Sequence, residues 1–311
     1  QFTCPLGVRI SPDLVARLST AALDRSFETE RARLQEYLGL PFPGITMWTS
    51  DELPASSCEL LMHDVPYCAI ELPPGKVMLP DPRLTGTREP ISADAEALAA
   101  RSEKRRGLDG GPGPTWWIDE KSLPPKQPAW RAEQVIAHAS VAMLRKHASL
   151  FLGIQEVQWI LDQQNAEYPG LVAEVQKVLP PQRIADVLRR LLEEQIPIRN
   201  VRNILESLVV WGAKEKDMLM LTEYVRGDLA RFLAHRAAGA GRQLPAVLFD
   251  LPVEQHIRQA IKQTPTGNFL ALPPDEVGFL IDRIQSFVGD TPRDGVALVT
   301  SMDIRRYVRR M

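Results

Sequence analysis

The chain has 311 residues and 44% hydrophobic content, enough to bury a sizeable core and long enough for two or more compact units. Its 37 basic and 39 acidic side chains nearly cancel. That balance excludes a global field that would gather nucleic acid or anionic lipid, so an electrostatic partner must be met by a local patch.

From Asp13 to Tyr37, Leu14, Leu18, Ala21, Ala22 and Leu34 fall at mostly helical spacing, and Gly39 followed by Pro41 supplies a stop. A helix is expected there. Three short β-prone runs follow, Ile45–Trp48, Cys58–Met62 and Tyr67–Glu71, punctuated by Pro54, Asp64 and Pro73, and they read as strands of one sheet. Between Pro73 and Pro128 the texture becomes rich in proline, with basic Lys104-Arg-Arg106 and glycine-rich Gly107-Leu-Asp-Gly-Gly-Pro-Gly-Pro114. This reads as a small inserted subdomain with mobile loops. No Gly-Lys-Ser/Thr follows the glycines, so they read as a loop and not as a phosphate cradle.

Ala129 to about Arg236 reads as helical. Ile184, Val187, Leu188, Leu191 and Leu192 form one apolar stripe; Val201, Ile204, Leu205 and Leu208 form a second after Pro197, and Leu221, Val225, Leu229 and Phe232 a third. Strand-like Val247–Leu251, Phe269–Leu272 and Val296–Val299 then alternate with helical patterns, the sign of an α/β lobe whose last helix runs uncapped into Arg309-Arg-Met311.

Chemistry-bearing motifs are scarce. The cysteines, Cys4, Cys58 and Cys68, are odd in number and form no Cys-x-x-Cys pair, so they read as small apolar residues of a reducing compartment. The five histidines lack metal-ligand spacing, and no nucleophile elbow, kinase loop or dinucleotide turn is present. Adjacent Glu193 and Glu194 diverge on a helix and read as a solvated face. No metal and no cofactor are expected, and binding is favoured over catalysis, although a dispersed triad leaves no local trace. No apolar run reaches the ~20 residues of a spanning helix, and Gln1-Phe2-Thr3 does not open a signal peptide. The chain therefore reads as soluble and, starting without Met, as part of something longer. Trp116 and Trp117, beside the glycine-rich loop, are either partner anchors or core plugs of the small subdomain.

A larger pattern joins these pieces. Leu144-Arg-Lys-His-Ala-Ser-Leu-Phe-Leu-Gly-Ile-Gln-Glu-Val157 continues through Ala166-Glu-Tyr-Pro169, Leu179-Pro-Pro-Gln-Arg183, Leu188-Arg-Arg-Leu-Leu-Glu-Glu194 and Ile196-Pro-Ile-Arg-Asn-Val-Arg-Asn-Ile-Leu-Glu206. Lys214-Glu-Lys-Asp217, Leu221-Thr-Glu-Tyr-Val-Arg226, Leu6-Gly-Val-Arg9 and Thr87-Arg-Glu-Pro90 extend it over nearly the whole chain. The pattern resembles the export-gate family of type III secretion systems and flagella, in its cytoplasmic C-terminal domain and its injectisome branch.

The resemblance implies an α+β fold of four subdomains. The first is mixed α/β, residues 1–72 and 129–147, interrupted by an inserted α/β subdomain, 73–128; a helical subdomain, 148–227, and an α/β subdomain, 228–311, follow. The family's usual C-terminal strand and tail are not found after Met311, which implies a shortened fourth subdomain. It further implies a non-enzymatic ring of nine at the cytoplasmic face of the bacterial inner membrane. The expected partners are export chaperone–substrate complexes, a gatekeeper protein and other export apparatus components, with no nucleic acid. The alternative is a soluble enzyme with a dispersed site.

In the flagellar branch, chaperones dock at a dimple between the first two subdomains, lined by an acidic, an aromatic and a hydroxyl residue. Those positions correspond here to Glu89, Ser92 and His138, two of them changed in type. Trp116 and Trp117 are possible neighbouring anchors, and a cleft between the second and fourth subdomains is the other candidate. For the subunit interface the expected residues are Arg189, Arg199, Arg202, Glu206 and Asp217, charged positions on the helical subdomain that would orient neighbouring copies.

Overall fold

The computed structural model describes residues 4–40, 43–79, 102–105, 108, 115–124, 127–239, 243–265, 267–289 and 296–311. They divide into two units, residues 1–167 with 184–201, and residues 168–183 with 202–311.

In the first unit, alternating Leu6, Val8 and Ile10 put every second side chain of β1 (Leu6–Ile10) into the core. This strand, which the sequence reading left unassigned, is central. It pairs in parallel with β2 (Ile45–Thr49) and antiparallel with β3 (Ser57–Met62), which pairs with β4 (Val65–Glu71), giving the sheet order β2-β1-β3-β4. The three expected strands do share this sheet. Its β3–β4 turn carries positive φ at His63 and Asp64, the geometry whose twist matches paired strands.

The helix expected over Asp13–Tyr37 is two helices, α1 (Pro12–Val15) and α2 (Thr20–Leu38). The break falls at Ser19, extended and accepting a bond from Ala22 N, which starts a new helix. Gly39 ends α2 at φ 77°, the left-handed position that glycine occupies without strain. Helix α3 (Ala132–Lys146) packs along α2, and Leu23, Phe27, Leu34, Val135, Ile136 and Met143 are all buried.

A three-stranded sheet, β5 (Lys76–Leu79), β6 (Glu103–Arg105) and β7 (Thr115–Asp119), has order β5-β7-β6. Met78 and Trp130 exchange backbone bonds of 2.9 and 2.7 Å, so the sheet is tied directly to the entrance of α3. The expected glycine-rich loop lies outside the described residues apart from Leu108. After α3 come α4 (Ile154–Glu167) and then α6 (Pro181–Glu193), which contributes from Ile184 onward to this unit.

The second unit contains α5 (Pro169–Val178), α7 (Val201–Gly212), α8 (Met218–Asp228) and α9 (Ala230–Ala238). Of the apolar stripes read from sequence, Ile184, Val187, Leu188, Leu191 and Leu192 of α6 are all buried, as are Ile204, Leu205 and Leu208 of α7 and Leu221 and Val225 of α8. Each stripe is buried because one helical face at 3.6-residue spacing has to leave water.

The last part of the unit holds a parallel pair, β8 (Ala246–Leu248) with β11 (Ala297–Val299), and a hairpin, β9 (Ile261–Thr264) with β10 (Gly267–Leu270). Ile257 of α10 (Leu251–Gln259), Leu280 of α11 (Pro274–Val288), and Ile304 and Val308 of α12 (Met302–Arg310) form its apolar centre. Leu251 was expected to end a strand. It opens α10 instead, because Asp250 caps Val253 N and Pro252 suits the first turn. With helices beside small sheets whose pairings are mostly antiparallel, the fold is consistent with α+β.

Candidate functional site

The described surface has a groove of about 400 Å³ within the first unit. One wall is a helical stripe of α2, Ala22, Arg25, Ser26, Thr29, Glu30 and Arg33, spaced i, i+3, i+4, i+7, i+8, i+11. The other is Trp130, Arg131, Glu133 and Gln134 at the entrance of α3. Small side chains on α2 leave the floor open, and the Met78 bonds hold the Trp130 backbone in place.

The carboxylates here are withdrawn and the guanidiniums are presented. Glu133 is 8% exposed, and its Oε1 accepts Ser19 N at 2.9 Å at the start of α2, where the helix dipole favours negative charge. The Glu30 side chain is 13% exposed, 2.9 Å from Arg33 Nη1 and 3.4 Å from His138 Nδ1. Burial works to raise the Glu30 carboxyl, but the facing His138 and then Arg33 outweigh it and hold it below its ordinary range. By contrast, the Arg33 and Arg131 side chains are 67% and 71% exposed, Arg131 pairing with Glu120 at the rim. Arg25 is exposed, and among the described residues no carboxylate pairs with it.

Of the residues singled out for partner docking, Glu89 and Ser92 lie outside the described residues. His138 lies behind the groove, its ring 4.5 Å from that of Trp130. Trp116 and Trp117 do not sit in a surface loop but on β7. Trp117 is 2% exposed and donates to Thr115 Oγ1 at 3.0 Å, which makes it a core side chain; Trp116 is half-buried, with Lys104 Nζ 5.7 Å from its ring centre. Strand alternation puts neighbouring tryptophans on opposite faces. Sequence reasoning passed over Trp130 and the arginines of α2, although the α2 stripe has a legible helical period.

The five charged positions proposed for subunit contact already have local partners to varying degrees. Arg189 donates to Leu152 O at 2.7 Å and to Asp186 at 3.0 Å. Arg199 is exposed, its backbone against Gly39. Arg202 pairs with Glu206 at 2.9 Å and stacks on Tyr168, while Asp217 caps α8 by accepting Leu219 N at 2.7 Å. Among the described residues no group of three or more His, Cys, Asp or Glu is arranged to hold a metal ion, and no helix is long and apolar enough to cross a membrane.

Known proteins are similar to this chain in sequence and in fold. The FHIPEP family pattern matches residues 1–311. The "Hypersensitivity response secretion protein HrcV" of Ralstonia nicotianae is 50% identical over all of this chain and 44% of its own length. The "Low calcium response locus protein D" of Yersinia pestis is 34% identical over all of this chain and 44% of its own length. The chain thus spans less than half of these relatives. Among solved structures, Chlamydia pneumoniae CdsV superposes with a TM-score of 0.78 and 30% identity, over 100% of this chain and 90% of that one. The "nonameric EPEC SctV-C" assembly superposes at 0.79 and 25% identity, over 99% and 90%. A match along the entire sequence, together with the same fold in CdsV, establishes that the chain belongs to the FHIPEP family of type III secretion export-apparatus proteins.

Proposed function

We propose that this chain is the cytoplasmic ring-forming part of an export gate, at the inner-membrane face, where it docks chaperone–substrate complexes and a gatekeeper protein for ordered export without catalysing a reaction. The observation that carries the reading is the shared fold with an assembly described as nonameric, over 99% of this chain. A structure described as a complex of CdsV with CdsO, at 30% identity and a TM-score of 0.81, supports contact with other export components.

In this reading the chain has four subdomains, 1–72 with 129–147, 73–128, 148–227 and 228–311. The first sheet ending at Glu71, the second beginning at Lys76 and the return helix starting at Ala132 support the first two boundaries. Docking centres on Glu89, Ser92, His138 and Trp116, and copies are oriented by Arg189, Arg199, Arg202, Glu206 and Asp217.

The test is the stoichiometry of the full-length membrane protein, extracted and imaged or weighed by native mass spectrometry. A closed ring of nine is expected, and a monomer or an open chain overturns the reading. Joint replacement R189E/R199E/R202E/E206R, with Asp217→Asn to keep the α8 cap, should reduce assembly while leaving the circular dichroism spectrum unchanged.

A further inference from the structure

We propose that the groove between α2 and the entrance of α3 is a docking site for an acidic segment of a partner protein. It goes beyond the ring and rests on the docking reading only in taking the partner to be a protein.

The argument is charge placement. Arg25, Arg33 and Arg131 are the exposed charges of the groove, whereas Glu30 and Glu133 are withdrawn into the protein and already bonded there. An approaching anion therefore meets guanidinium donors before it meets carboxylate. Arg33 and Arg131 each spend only part of their donor set on Glu30 and Glu120, and a guanidinium has five N–H groups, so both can donate to a second carboxylate. Among the described residues no carboxylate takes up the Arg25 donors.

The geometry favours a chain segment over a single small anion. Arg25 and Arg33 are eight residues apart on one helix, about 12 Å along its axis. Between them Ala22, Ser26 and Thr29 offer a low floor, and Trp130 offers an amphipathic ring that takes an apolar side chain. A segment with two carboxylates about 12 Å apart and an apolar residue between them fills this arrangement. Nucleic acid is a poor fit, because three arginines make only a local patch on a chain whose 37 basic and 39 acidic side chains nearly cancel.

A display library of random peptides, each roughly twelve residues long so that it spans both arginines, is selected on the intact chain and counter-screened on R25E/R33E. Both sites are solvent-exposed helix positions, and unchanged thermal melting of the variant confirms its fold. The expected result is an enriched family carrying at least two Asp or Glu around an apolar residue, bound about tenfold or more weakly by R25E/R33E and by W130A, and weakened as salt rises from about 50 to about 300 mM.

Neutral or basic winners, no enriched family, or equal binding to R25E/R33E overturns the inference. So does binding to phosphatidylserine-containing vesicles that R25E/R33E abolishes while peptide selection fails, since the groove would then face lipid. A ring of nine with failed selection defeats this inference alone; acidic peptides captured by a chain that forms no ring defeat the assembly reading alone.

Discussion

Asp13 shows how one carboxylate can hold a strained turn. Ser56 adopts φ 58°, uncomfortable for a residue with a Cβ, and its backbone N–H donates to both Asp13 oxygens at 3.0 and 2.9 Å. That backbone bond, with the Ser11 and Ser56 hydroxyls, lowers the Asp13 carboxyl to about 2. Because the folded value lies below the unfolded one near ~3.9, the stabilisation is complete above about pH 4 and is lost as pH falls toward 2. Asp13→Asn should therefore lower the urea midpoint at pH 6, and the deficit should shrink as pH approaches 2; a deficit independent of pH would contradict this. Glu223 and Arg305 behave differently, as a largely buried bidentate pair with contacts of 2.8 and 2.5 Å. Glu223→Gln removes the carboxylate of this pair and should cost roughly 3 kcal/mol, read by denaturant unfolding. Arg305→Met in the same chain should recover part of that loss.

Element ends make separable predictions. Gly39 closes α2, and a Cβ there would lie 2.5 Å from the Arg199 Cα, on a backbone already at positive φ. Gly39→Ala should destabilise by about 1–3 kcal/mol through that overlap, measured as a shift in unfolding midpoint. A smaller effect would mean that the segment around Arg199 can retreat, although Ile198 N donates to Leu38 O at 3.0 Å and opposes this. Asp217→Ala should cost about 1 kcal/mol by removing the α8 cap, whereas Asp217→Asn should cost much less. The pair separates a capping role from a role in subunit contact, because only the charge is lost in Asn.

At the scale of the molecule, the proposed ring contact and the proposed groove use different residues and can be tested apart. R25E/R33E should leave the stoichiometry of the full-length protein unchanged, and the interface charge reversals should leave selected peptides bound by each subunit. Avidity makes this visible: if assembly clusters the grooves, a multivalent acidic ligand should bind the ring more tightly than a single copy by about a hundredfold or more, with no new contact. Equal binding of the multivalent ligand to ring and monomer, measured by surface plasmon resonance, would place the grooves beyond mutual reach.

Periodicity made the helical stripes legible, because a face such as Ile184–Leu192 has one way to leave water, and the ordered matches from Leu144 to Arg226 carried the family. The three β runs were also readable, since Pro54, Asp64 and Pro73 bound them. The sequence could not say that β1 is the centre of its sheet: Leu6, Val8 and Ile10 alternate as any strand does, and only pairing with β2 and β3 assigns their position. Nor could it separate Trp116 from Trp117, which differ in burial because strand alternation sends one toward the core. The groove was hidden for the same reason. Arg25, Glu30 and Arg33 look like an ordinary solvated helix face until α3 brings Trp130 and Glu133 against them, and which charges are withdrawn and which presented is settled by contacts between residues roughly a hundred positions apart.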